Sequence, residues 1–245
     1  MSYGQEVMLP GSQGCQLQGY VLSKALGPGH QRLGLVIFHP YAQMGGCCDD
    51  PIVLSIFRQA ARCQDVQTVV RYNQRGVGSS SGSKSLWAAQ DMADATALCQ
   101  HILTMHNGPT HLHLVGYSWG ACVAAHAAQL RHVTAFVGIS PVTGGLASFF
   151  LRTKRHLSQL PPILPKMLVL GDRDQFSSVA SLQKVFGSEQ SGRSQQDLAV
   201  PQTEHTPACL VLMTDCDHFY INQRKEMAEK VLHFCSKQFA NQMKL

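Results

Sequence analysis

The sequence predicts an α/β fold: one doubly wound, mostly parallel sheet with helices on both faces. Three observations carry this. Short apolar runs rich in β-branched residues alternate with longer stretches of helical period, the pattern of βαβ units. The runs are apolar throughout instead of alternating with polar residues, as strands covered on both faces must be. Finally, 14% of the 245 residues are charged and 44% are hydrophobic, a balance that excludes a coiled coil or a solvated disordered chain.

The elements follow in order. Glu6–Leu9 and Cys15–Leu22 flank the turn sequence PGSQG and read as an opening antiparallel hairpin. Six further runs read as strands: Leu33–His39, Val66–Tyr72, His111–Tyr117, Val133–Ile139, Lys166–Leu170 and Cys209–Met213. That makes about eight strands. Between them, Ile52–Arg62, Leu86–Met105, Ala121–Leu130 and Arg224–Phe239 space their apolar residues near a 3.6 period, which predicts helices. No internal repeat and no linker interrupts the pattern, so residues 1–245 are expected to form a single domain. Two stretches depart from it. Residues 187–207, rich in Ser, Gln and Gly, read as a polar surface insertion. Thr143–Pro165, carrying Leu146, Phe149, Phe150 and Leu151, reads as an amphipathic helix packed on the core, with a small lid as the alternative.

Composition narrows the partners. Twenty Lys and Arg against 15 Asp and Glu give a charge of +5, too mild to indicate a nucleic-acid partner. The densest basic cluster, Arg152, Lys154, Arg155 and His156, reads as a solvated helix face, with an anion-facing or weak membrane-surface patch as the alternative. Nine cysteines without CxxC spacing read as reduced thiols and not as disulfides or a zinc site. The first residues lack a charged segment followed by a long apolar one, and no apolar run approaches the length of a membrane span. The expectation is a soluble, cytoplasmic protein with no integral membrane segment.

Chemistry concentrates at Gly116-Tyr117-Ser118-Trp119-Gly120, a G-x-S-x-G pattern in which a strand feeds directly into an Ala-rich helix. A sharp strand-to-helix turn projects its central side chain, and flanking glycines remove the Cβ atoms that would clash there. An N-capping role would account for Ser118 but not for both glycines. A nucleophilic serine needs a base, and the base needs an orienting carboxylate. Among twelve histidines, His218 follows the strand CLVLM at the same sheet edge as Ser118. His101, His106, His126 and His233 sit on helices, while His111 and His113 sit at the wrong end of the Ser118 strand. Asp172 and Asp174, directly after KMLVL, both qualify as the carboxylate by location, in the chain order Ser, Asp, His. Oxyanion donors would be the Trp119 N–H and an N–H of the loop after the third strand. Because Pro40 has none, Tyr41 is the first candidate there and Ala42 the next.

Weaker patterns carry less. Gly76-Val77-Gly78 with Gly82 is neither a dinucleotide fingerprint nor a phosphate loop. His111-x-His113 has no third ligand nearby and reads as a pair at the sheet edge, so no metal and no cofactor is expected. Asp91 and Asp94 read as solvated or capping residues of a helix.

Taken in order, FHPYAQMGG, RYNQRGVGSSSG, GYSWG, GDRD and DHFY resemble the α/β-hydrolase superfamily from about Leu33 to the C-terminus. The likeness is greatest to compact serine hydrolases with an HPHP-like oxyanion loop and an RFNFRGVG-like stretch. The chain departs from these in lacking the second histidine of HPHP and in placing Gln74 where an aromatic is usual. The resemblance implies an α/β-hydrolase fold with minimal or no cap, Ser118 as nucleophile, Asp174 as acid and His218 as base. It also implies Tyr41 and Trp119 as oxyanion donors. The expected activity is cofactor-free cleavage of a small-molecule ester, thioester or amide, carboxylesterase-like, through an acyl-enzyme. An acyltransferase or peptidase on the same residues is the nearest alternative, and a non-catalytic binding protein that kept the fold is the alternative of another class.

Overall fold

The computed structural model of the protein describes residues 4–25, 31–86, 88–144, 148, 152–186, 198–199 and 208–244. The opening hairpin is formed by β1 (Gln5–Pro10) and β2 (Gln16–Ser23). Then come β3 (Leu33–Phe38), α1 (Pro51–Arg62), β4 (Val66–Tyr72), α2 (Ala88–Thr104), β5 (His111–Tyr117), α3 (Trp119–Ala127) and β6 (Val133–Ile139). The chain continues through α4 (Thr153–Leu157), β7 (Lys166–Gly171), α5 (Val179–Phe186), β8 (Leu198–Ala199), β9 (Ala208–Met213) and α6 (Arg224–Gln242).

The strands make one sheet in the order β1-β2-β4-β3-β5-β6-β7-β9-β8. From β4 through β9 every neighbouring pair is parallel, whereas β2 meets β4, and β8 meets β9, antiparallel. The doubly wound prediction therefore holds. The ninth strand, β8, is a two-residue pairing inside the 187–207 stretch, whose other residues lie outside those described.

Uniformly apolar strands have the predicted consequence. Every residue of β3, β4 and β7 is buried. The sheet separates two cores: one packs α1 and α6 through Ile56, Phe57, Met227 and Val231, the other packs α2, α3, α4 and α5 through Leu98, Val123, Leu157 and Leu182. Asp50 starts α1 by accepting the Ile52 N–H at 2.8 Å, with Pro51 at the first helical position where its missing donor costs nothing.

Several expectations need correction. The helix after Ser118 begins two residues earlier than Ala121 and ends at Ala127, short of Leu130, because the elbow passes from strand to helix without a linker. Asp91 and Asp94 are buried, at 3% and 1% exposure. Asp94 holds Arg75 through two bonds, at 2.7 and 2.8 Å, and accepts both the Ser12 N–H and its hydroxyl. His113 lies in a central strand rather than at an edge, and burial pushes its imidazole down to about 3, so it is a neutral core group. Within 143–165, the short α4 packs against α3, and Leu157, Leu160 and Leu164 enter the core. Leu146, Phe149, Phe150 and Leu151 lie outside the described residues. Among the described residues no cap domain covers the sheet, and no helix is long and apolar enough to cross a membrane.

Candidate active site

Parallel strands all end at one edge of the sheet, so the loops after β3, β5, β7 and β9 converge there. After β5 the chain turns at Ser118 with φ 54° and ψ −117° and enters α3 at once. A residue with a Cβ pays for that dihedral, and its surroundings fix it in place. A Cβ on Gly116 would come within 2.4 Å of Ala121 Cα, and one on Gly120 within 2.2 Å of Phe38 O. These contacts are the physical reason for both glycines of the pattern. The turn thus sets Ser118 in the lining of a cavity.

His218 arrives from the loop after β9. Its Nε2 lies 3.3 Å from Ser118 Oγ, and its Nδ1 lies 2.9 Å from Asp174 Oδ2. Asp174 follows β7; its other oxygen accepts the Phe176 and Ser177 N–H groups at 2.8 and 3.0 Å. Burial acts to raise the Asp174 pKa, but the His218 hydrogen bond and charge, the Ser140 hydroxyl and the Phe176 N–H outweigh it and hold the carboxyl below its usual value. Asp172 is exposed and accepts the Cys216 N–H at 3.1 Å, away from the histidine. Of the two carboxylates the sequence left open, Asp174 is the one that meets His218.

The imidazole is also clamped sterically and from behind. Tyr117, Phe176 and Phe219 place their rings 5.4, 4.7 and 5.5 Å from it. Its backbone N–H donates to Gln175 and its carbonyl accepts the Tyr117 hydroxyl at 3.1 Å. Neither Gln175 nor Tyr117 was singled out in the sequence, although Tyr117 sits inside the elbow pattern.

Opposite the histidine, Tyr41 and Trp119 line the same cavity, their rings edge to face at 5.6 Å. Trp119 opens α3, where the first N–H groups have no helical acceptor. The Tyr41 loop is held by a residue whose role the sequence did not reveal. His39, fully buried, donates from Nδ1 to Pro40 O at 2.7 Å and accepts the Gln74 N–H on Nε2 at 2.9 Å. Burial pushes it down to about 4, so the neutral ring serves as donor on one side and acceptor on the other. Gln74 also donates to His39 O at 3.3 Å. The glutamine that departs from the family pattern thus fastens the loop that carries Tyr41.

The cavity itself measures about 210 Å³ and is largely apolar, with Met44, Val142, Phe176 and Phe219 on its walls. Asp50, the cap of α1, also reaches it, its carboxyl raised by burial.

Residues 35–198 match the family model described as the alpha/beta hydrolase fold, and the chain belongs to that family. No curated protein matches it in sequence. Among solved structures it is similar to a serine hydrolase without lid from Xanthomonas campestris, at 22% identity and TM-score 0.73 over 97% of this chain and 96% of that one. A putative hydrolase from Agrobacterium tumefaciens shares 18% identity at TM-score 0.73 over 97% of each chain. Est1E from Butyrivibrio proteoclasticus, solved with ferulic acid bound, shares 16% identity at TM-score 0.74 over 96% of this chain and all of that one. At such identities the likeness is one of fold.

Proposed function

We propose that the protein is a serine hydrolase that cleaves a carboxylic ester, thioester or amide of a small molecule through an acyl-enzyme on Ser118. The observation that carries this reading is His218, bridged between Ser118 Oγ and Asp174 Oδ2 beside a cavity that Ser118 and His218 both line. A histidine so held keeps its Nδ1 proton on the carboxylate side and leaves Nε2 free to accept the serine proton.

In this reading Ser118 Oγ attacks the substrate carbonyl carbon while its proton passes to His218 Nε2. Asp174 holds the imidazolium that results. The backbone N–H groups of Tyr41 and Trp119 receive the oxyanion, an interaction that strengthens as charge develops. His218 then returns the proton to the leaving group, and the acyl-enzyme remains. Water, deprotonated by the same Nε2, attacks the ester and frees Ser118. The apolar walls suit an uncharged acyl group and exclude water from the developing charge.

A fluorophosphonate probe tests the reading. The wild-type protein is expected to take one adduct, at Ser118, found by peptide mass spectrometry, and hydrolysis of p-nitrophenyl esters should stop in proportion to labelling. Ser118→Ala should take none, and His218→Ala should label slower by about 10³-fold or more. Equal labelling of wild type and His218→Ala would overturn it.

A further inference from the structure

Outside this site, the basic cluster Arg152, Arg155 and His156 does not face open solvent alone. Together with His126 of α3 it lines a cleft of about 530 Å³ between α2, α3 and α4. Arg152 and Arg155 are exposed, the two histidines half-buried. None of the four makes an ion pair among the described residues. Their mutual proximity also shows in His156, held below its usual pKa by burial first and then by the charges of His126, Arg155 and Arg152. Concentrating positive charge in a concavity without a counter-ion costs free energy that an anion would recover.

The other wall has opposite chemistry. Leu86, Ala88, Ala89 and Ala93 line it, over the nearly buried side chains of Met92 and Trp119. Leu86 is 63% exposed, a large apolar group left at the lip. A concave space with a cationic rim and an apolar wall suits a ligand with a charged head and an apolar body. A bare inorganic ion would leave the apolar wall wet, and an extended polyanion such as a nucleic acid would not enter a cleft of this size.

We propose that this cleft binds an anionic amphiphile of the phosphate-monoester class, its head on Arg152, Arg155 and the two histidines and its tail along Leu86, Ala89 and Ala93, over the buried Met92 and Trp119. The ligand is a free molecule in solution, not a headgroup presented by a bilayer. The site is separate from the cavity of Ser118, with Trp119 as the partition between them.

The test uses the two tryptophans of the chain. In a Trp87→Phe background Trp119 is the sole indole, and its fluorescence is titrated with octyl phosphate below its micellar concentration. Saturable binding is expected, at least tenfold tighter than that of inorganic phosphate and weakened by added salt. Arg155→Ala and Arg152→Gln should each raise Kd by about tenfold. Lys154→Ala, which removes the same charge from the same helix outside the cleft, should shift it by less than about twofold, and His218→Ala should not shift it. Circular dichroism of each variant checks that the fold is kept. The proposal fails if octyl phosphate binds no tighter than phosphate. It also fails if Lys154→Ala matches Arg155→Ala, or if only vesicles containing phosphatidic acid are bound.

Discussion

Two buried acid–base pairs invite comparison: Asp174 with His218, and Asp94 with Arg75. Both bring a carboxylate within 3 Å of its partner, and both carboxylates are nearly inaccessible. They differ in what remains unsatisfied. Asp94 uses both its oxygens on Arg75 and one of them also on Ser12, so its carboxylate is spent within the pair and its neighbour. His218 meets Asp174 through one nitrogen and turns the other toward Ser118 and a cavity. Burial and pairing alone therefore do not mark a reactive group. What sets the His218 pair apart, and what the proposed function uses, is a nitrogen aimed at a cavity.

Of the two pairs, Asp174 with His218 is the one whose loss should abolish turnover. Asp174→Asn should lower kcat for a p-nitrophenyl ester by about 10³–10⁴-fold, because the amide favours the wrong imidazole tautomer. Asp172→Asn should cost less than about threefold, and a reversal of the two results would move the acid to Asp172. At the closed half, Arg75→Ala leaves Asp94 buried without its cation. Urea unfolding should then show a loss of about 3–5 kcal/mol, while kcat per folded molecule stays within about twofold. A variant as stable as the wild type but catalytically impaired would erase the distinction drawn here.

The smallest effect concerns Asp91, which neighbours both Asp94 and the Trp119 indole. Burial first, and then the charge of Asp94, push its carboxyl up from 3.8 to about 7. A carboxyl raised in the folded state favours folding below its ordinary pKa, and that contribution is lost as pH rises through the folded value. Stability should thus fall from about pH 4 to about pH 7 through this residue and level off above it. Asp91→Asn should flatten the slope and be more stable than wild type at pH 8, on the order of 2 kcal/mol in urea melts. An unchanged slope would mean that Asp91 does not titrate in this range.

How legible each group was in the sequence depends on how far away its partners lie. Ser118 could be read directly, since its strand, glycines and helix are contiguous. His218 could be placed by its position after a strand, because parallel topology sends that end to the Ser118 edge. Asp172 and Asp174 could not be separated from sequence position alone. Both follow β7, and the difference is which way each side chain turns, toward Cys216 N–H or toward the imidazole. Asp94 looked like a solvated helix residue because its partners are Arg75, a full strand-to-helix connection earlier, and Ser12, at the far end of the chain. Similarly, the work of His39 on the Tyr41 loop depends on Gln74, which no local pattern joins to it.

The backbone of Ser118 carries one more consequence. Its φ of 54° is a conformation that glycine adopts freely and serine does not. On the proposed reading Ser118 is the nucleophile, so the side chain that would do the chemistry is also the side chain that opposes folding. Glycine at this position would relax the turn and fold into a sturdier, inert molecule. Pressure for robustness alone would favour that version, and under the proposed function a demand for turnover is what holds the hydroxyl in place.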